Sequence, residues 1–380
     1  MKQGWEYGIL DDAVKKGSSN ISLNKIKDEE GNYPVFGAKG FAKNVSFFDQ
    51  NKDYLAIIKD GAGIGRVSKH PKNSSVLATL QYIIPKDGFD IDFIKYLLNQ
   101  VDFEKHRNGS TIPHIYFKDY KTEPFPLLPL SEQKRIVKIL DEAFAAIDEA
   151  KANAEKNLQN SRELFESYLN KVFANLRKDW EEKKLADVCE VKDGTHDSPR
   201  YVDDEDAIPF ITQKNILNSG LSFEKTNFIS KTNHDNFYRR SNVAYNDILI
   251  SMIGANRGMA CVVDNRRTFS IKNVGLIKSN DSYLSEFMLY FLKSKYAKQY
   301  IQKSSKGSAQ GFIGLGKLRN FPILLPHLST QKKIVNRVSE ILTETKKLET
   351  IYQQKLADLD ELKKSILQKA FDGELTRNSG

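Results

Sequence analysis

The 380 residues are 40% apolar and carry a formal charge of +9; that is enough chain for two domains with cores of their own, and too apolar for a disordered tail. The largest segmental excess, +4, falls in residues 179–325, so no polybasic tail exists and any anionic partner must be met by folded surfaces. Only Cys189 and Cys261 are present, Met1 to Glu6 lacks the apolar run of a leader, and no stretch approaches the ~18–20 apolar residues of a membrane span. A reducing, cytoplasmic setting with no membrane contact is expected.

In chain order, Trp5 opens a first globular segment. Asp53 to Lys59 reads as an apolar strand, and Gly61, Gly63 and Gly65 with Arg66 read as a tight turn before a second apolar run. Asp92 to Leu98 reads as a short amphipathic helix. A Pro-rich apolar run, Phe125 to Pro129, then leads into Ser131, which starts 43 residues without Gly or Pro, ending at Phe173. Such a helix is roughly 65 Å long at 1.5 Å per residue.

The chain then repeats itself. Trp180 opens the second globular segment, and Asn246 to Ala260 repeats the strand, the Gly-rich turn with one Arg, and the second apolar run. Glu286 to Leu292 repeats the short helix, and Phe321 to Pro326 repeats the Pro-rich run. Ser329 to Phe371 then aligns without a gap on Ser131 to Phe173 at an offset of 198, sharing Gln133, Ile136, Val137, Leu158, Leu164, Leu169 and Phe173 among others. Ser131 and Ser329 are placed as N-caps and Gly373 as a stop. Leu140, Phe144, Ile147, Ala154, Leu158, Phe165, Tyr168 and Val172 form a stripe interrupted by Lys151 and Ser161. Val335, Val338, Leu342, Thr345, Tyr352, Leu356, Leu359 and Ile366 form the second. One stripe on so long a helix requires a partner helix, and the other copy is the obvious one.

No catalytic constellation is evident. The Gly61–Gly65 turn lacks the Lys-Ser/Thr of a P-loop and the spacing of a dinucleotide loop. His70, His106, His114, His196, His234 and His327 are scattered, with no metal-ligand spacing. Asp203, Asp204, Glu205 and Asp206 read as a solvated loop, and no Asn-Pro-Pro-aromatic tetrapeptide of an amino-methyltransferase occurs. Cations and amides do gather in loops: Arg66, Lys69, His70 and Lys72; Arg107 and Asn108; Arg239 and Arg240; Asn256 and Arg257; Arg266 and Arg267; Lys303 and Lys306. Arg pairs with guanine and Asn with adenine, while Lys mainly holds phosphates, so these are the candidate DNA-binding residues. Taken singly, each is better read as plain solvent exposure, and it is the set that points to DNA.

Two variable globules, each ending in an apolar Pro run followed by Pro129-Leu130-Ser131-Glu132-Gln133-Lys134-Arg135-Ile136-Val137 or its copy from Pro326 to Val335 and by a long helix, resemble the specificity subunit of Type I restriction-modification enzymes. His327 and Thr330 depart mildly from the pattern. The resemblance covers essentially the whole chain. It implies an α+β architecture with two α/β target recognition domains, residues 1–128 and 179–325. Two antiparallel coiled-coil helices, 129–178 and 326–380, would separate them with approximate two-fold symmetry. It further implies a split double-stranded DNA target with a fixed gap, two DNA-methyltransferase subunits docked on the helices, and restriction subunits. S-adenosylmethionine, ATP and Mg are expected on those partners, with no cofactor and no catalysis on this chain. The competing readings are a protein-binding scaffold on a coiled-coil rod and the recognition half of a fused enzyme.

Overall fold

The computed structural model describes residues 5–174, 180–254, 256–279, 281–304 and 313–375. It forms two compact units, residues 1–155 with 354–380 and residues 156–353. Each unit holds one globule and a stretch of both long helices.

In the first unit an antiparallel sheet runs in the order Val14–Ser18, Leu80–Pro85, Tyr54–Ile58, Val67–His70. Tyr54–Ile58 is buried along its whole length, as its unbroken apolar run requires of a strand covered on both faces. One face packs on the helix Ile91–Leu98, which buries Phe93, Ile94, Leu97 and Leu98. That helix begins where it does because Asp90 Oδ1 accepts the amides of Asp92 and Phe93. The other face carries Tyr54, Ala56, Ile58, Leu80 and Tyr82. A smaller sheet follows the order Gly40–Val45, Tyr33–Gly37, Ser75–Val76, its last pair parallel. Glu6–Ile9 pairs with the Pro-rich run Pro124–Leu127.

The second unit repeats the topology of these three sheets. Its sheet runs Val191–Asp193, Val274–Ile277, Ile248–Ser251, Ala260–Val262. Its smaller sheet runs Asn227–Ile229, Ile208–Ile211, Ser270–Ile271, again with a parallel last pair. Glu181–Lys184 pairs with Pro322–Leu325. The repeat seen in the sequence therefore extends through both globules. Two insertions depart from it: a hairpin pairs Ile216–Leu217 with Gly220–Leu221, and the helix Lys231–Ser241 stands where the first unit has only residues 46–53 between equivalent strands.

The long helices span Leu130–Ala174 and Leu328–Phe371. Each starts one residue before its expected Ser cap. The amides of Glu132 and Gln133 bond to Pro129 O, and those of Thr330 and Gln331 to His327 O, so Ser131 and Ser329 lie inside the first turn. The recurring glutamine does the anchoring instead. Gln133 Nε2 donates to Leu128 O (2.8 Å) and Gln331 Nε2 to Pro326 O (2.8 Å), tying each helix to the strand before it. Gly373, at φ +74°, ends the second helix as expected, with the Glu374 amide folding back on Lys369 O.

Within each unit the long helices pair antiparallel. In the first, Lys151 meets Asp360 (2.7 Å) and Asp148 meets Lys363 (2.8 Å); in the second, Arg162 meets Glu349 (3.4 Å). Both interruptions of the first stripe are accommodated: Lys151 through that ion pair, and Ser161 by burial with its hydroxyl bonded to Asn157 O. The repeated phenylalanines close cores crosswise. Phe371, ending the second helix, packs on Phe93 of the first unit (5.3 Å between centroids). Phe173, ending the first helix, packs on Phe287 and Phe291 of the second unit (5.7 and 5.5 Å).

Candidate nucleic-acid interface

Each Gly-rich turn joins a central strand to the edge strand beside it, Tyr54–Ile58 to Val67–His70 and Ile248–Ser251 to Ala260–Val262. Gly61 and Gly65 stand at φ +94° and +81°, Gly254 and Gly258 at +73° and +84°, a backbone region closed to most side chains. The Gly65 amide donates to Ile58 O (2.9 Å) and the Gly258 amide to Ser251 O (2.8 Å), so these positions are equivalent. A Cβ on Gly65 would lie 2.6 Å from Phe103 Cβ, and one on Gly258 3.0 Å from Ile301 Cδ1. These glycines let the turn pack on its own globule. Gly61 differs: a Cβ there meets nothing within 4 Å. The same register sets Arg257 opposite Ile64 and Arg66 opposite Met259, so the two arginines are not counterparts. Arg66 is exposed and reaches Ala38 O through Nη2 at 3.3 Å.

The other described candidates differ in burial and in pairing. His70 is 8% exposed, between the rings of Phe36 and Tyr54 (4.5 and 5.4 Å), with Nε2 bonded to Ser68 Oγ at 2.7 Å. Burial pulls its pKa down to about 4, so it is neutral at pH 7 and part of the core. Lys69 is paired with Asp92 (2.7 Å), Arg107 with Glu104 (3.2 Å), and Asn108 Nδ2 with Asp119 (3.2 Å). Arg266 lies over Tyr245 and Arg267 over Phe223, at 5.2 and 4.6 Å. Lys72, Arg239, Asn256 and Lys303 are exposed, and Arg257 is half-buried. Lys306 lies outside the described residues.

Arg240 lines a polar cleft. In the second unit a cleft of about 490 Å³ opens past the strand Val191–Asp193, lined by Thr195, Asp197, Asn233, Asn236, Phe237 and Arg240 among others. Asp193 is buried, and its Oδ1 accepts both Nε (3.0 Å) and Nη2 (2.6 Å) of Arg240, while Oδ2 faces His196 Nε2 at 3.2 Å. A carboxylate fixed in the sheet thus holds a half-exposed guanidinium at the cleft.

The first unit has a cleft at the same place. Leu80 faces Ile58 as Val274 faces Ser251, so Gln81 and Gly275 are equivalent, and so are their partners Ser18 and Asp193. There a cleft of about 560 Å³ is lined by Ser18, Asn20, Lys25, Phe47, Asp49 and Gln50 with two isoleucines. Scaffold and position are shared, but the lining is not: residues 46–53 contribute in one unit, the helix Lys231–Ser241 in the other. Asn20, Gln50, Asp193, Asn233 and Asn236 escaped the sequence reading. The signal available was Ser230 as a cap followed by Asn233, Asn236 and Arg240 at helical spacing.

Comparison with known proteins gives a consistent set of matches. A family model for the Type I restriction modification DNA specificity domain matches residues 2–158 and 177–357. The MjaVIII specificity subunit of Methanocaldococcus jannaschii is 24% identical, over 98% of this chain and 93% of its own length. The EcoBI specificity subunit of Escherichia coli is 27% identical over 70% of this chain and 61% of its own. Among solved structures, a chain from work on complex assembly and conformational transition of the type I R-M system superposes with a TM-score of 0.77, covering 98% of both chains at 18% identity. The HsdS subunit of Thermoanaerobacter tengcongensis gives 0.61 at 18% identity, covering 98% of this chain and 97% of that one. At such identities the structural likeness speaks to the fold alone.

Proposed function

The chain belongs to the family of Type I restriction-modification specificity subunits, which recognise DNA and catalyse nothing themselves, and from that premise we propose that it reads a two-part double-stranded DNA target with a fixed gap and docks two DNA-methyltransferase subunits and restriction subunits. One observation carries this reading: two units that share the topology of three sheets present a polar cleft at the same strand exit, with different linings. A duplicated scaffold with unlike clefts fits two half-sites of unlike sequence. Residues 1–128 and 179–325 are the recognition domains on this reading, and 129–178 and 326–380 the spacers.

Docking is supported by apolar side chains left outside the helix pair. Leu164, Ile351 and Leu362 are 53%, 50% and 46% exposed on the long helices. Methyl transfer from S-adenosylmethionine, and cleavage with ATP and Mg, belong to the partner chains. Among the described residues no helix is long and apolar enough to cross a membrane.

The modest charge of each globule predicts weak DNA binding by the isolated chain and specific binding once the methyltransferase is present. The test is co-purification with that partner, followed by DNA binding across a salt series and methylome sequencing with and without the gene. Loss of one bipartite methylated motif on deleting the gene is expected. An unchanged methylome, with no salt-dependent DNA affinity in the complex, would leave a protein-binding scaffold as the better account.

A further inference from the structure

Resting on that reading, we infer that the helix Lys231–Ser241 is the recognition element of the second unit and that its cleft face reads purine edges in the major groove, Arg240 a guanine and Asn233 or Asn236 an adenine.

The helix has two faces of different character. His234, Tyr238 and Ser241 tie it to the globule: His234 Nδ1 bonds Ser270 Oγ (2.8 Å), Tyr238 OH donates to Val243 O (2.9 Å), and Ser241 is buried. Asn233, Asn236 and Arg240, at i, i+3 and i+7, line the cleft. Neither asparagine amide has a partner among the described residues, so both keep donors and acceptors for a ligand. A major groove about 12 Å wide admits a helix, and Asn and Arg are the side chains that pair bidentately with adenine and guanine.

Arg240 is the most informative member. Asp193 engages Nε and one edge of Nη2, which fixes the guanidinium plane and leaves Nη1 and the other Nη2 hydrogen free. Two parallel donors at a fixed angle suit guanine O6 and N7. A buried carboxylate is a costly device for holding an arginine against a phosphate, a contact that a flexible lysine makes as a point charge. Asp197 strengthens the case, since a carboxylate in the same cleft repels phosphate and can accept from a cytosine amino group. Asp193 is then a positioning residue. The first unit lacks the helix and has Ser18 where Asp193 stands, so it must read its half-site by other means.

The test uses the complete complex with its methyltransferase, in cells for methylomes and purified for binding to DNA substituted one base pair at a time. Arg240→Ala is expected to relax one position of one half-site, to leave the other half intact, and to lower cognate affinity about 5- to 150-fold. Asn236→Ala and Asn233→Ala should relax adenine positions in the same half. Asp193→Asn should relax the same position as Arg240→Ala with an unchanged thermal midpoint. Arg240→Lys, which keeps charge without the fork, should resemble Arg240→Ala. If Arg240→Lys restores full specificity, or if every variant lowers affinity for all sequences alike and reduces the salt slope, the cleft holds phosphate and the inference fails. Unaltered specificity in Asn236→Ala and Arg240→Ala, with a specific wild type, also overturns it. A wild-type complex with no sequence preference would instead overturn the proposed function.

Discussion

Three residues show how little a residue type says before its surroundings are known. His70 lies in a run of cations, yet the fold places its ring between Phe36 and Tyr54. The unfolded imidazole takes a proton below its ordinary value of 6.5, whereas the folded one resists until about 4. Protons therefore favour the unfolded chain. The contribution is fully present above pH 6.5 and is lost as pH falls toward 4, a change of up to about 3 kcal/mol. His70→Phe should remove this component. Urea denaturation across pH 4–7 should show a shallower loss of stability in the variant than in the wild type, and equal slopes would show that the ring titrates freely. Gly65 and Gly61 make a paired case. Gly65→Ala combines a left-handed backbone with a collision against Phe103 and should cost about 2–4 kcal/mol. Gly61→Ala, with open space around it, should cost only about 1 kcal/mol. Equal losses in denaturation would mean that the turn does not pack as found.

At the scale of elements, the anchoring of the long helices rests on a buried amide. Gln133 is fully buried, donates to Leu128 O and Gly88 O, and accepts the Asp90 amide on Oε1. One side chain thus joins the Pro-rich strand, the cap of the Ile91–Leu98 helix and the start of the long helix. Gln133→Ala strands an N–H and two carbonyls, and should destabilise the first unit by about 2–4 kcal/mol. A loss below 1 kcal/mol in denaturation would mean that water replaces the amide. The stripes were legible at this scale because a 3–4 spacing of apolar residues can be buried only along one helix face. The caps were not, since the choice between Ser131 and Pro129 as the capping residue turns on how the preceding strand enters the helix.

At the scale of the molecule, each long helix starts from one globule and ends in the core of the other. Removing residues 354–380 strips Ala370 and Phe371 from the core of the first unit, although Phe93, their neighbour, is far away in sequence. Such a truncation should abolish the thermal transition of the first unit and leave that of residues 156–353. Calorimetry would read this, and two intact transitions would show that the first globule needs no second helix. Exchange of residues 1–125 for those of a relative should change one half of the methylated motif and leave the other intact. Changes in both halves would end the account of independent recognition units.

The sequence by itself determined the duplication, the α+β class, the two long helices and the family resemblance. All are written in periodicity and in a repeated string, which depend on local spacing alone. Only the tertiary structure decided which polar residues share a cleft. Asp193 and Arg240 are distant in sequence and meet because a strand and an added helix pack together. The helix Lys231–Ser241 carries no apolar stripe strong enough to announce itself. His70 and Lys69 look alike in a list of cations, but strand alternation sends one inward and the other out to Asp92. A readable surface is a property of side chains brought together by the fold, and the order of residues along the chain does not contain it.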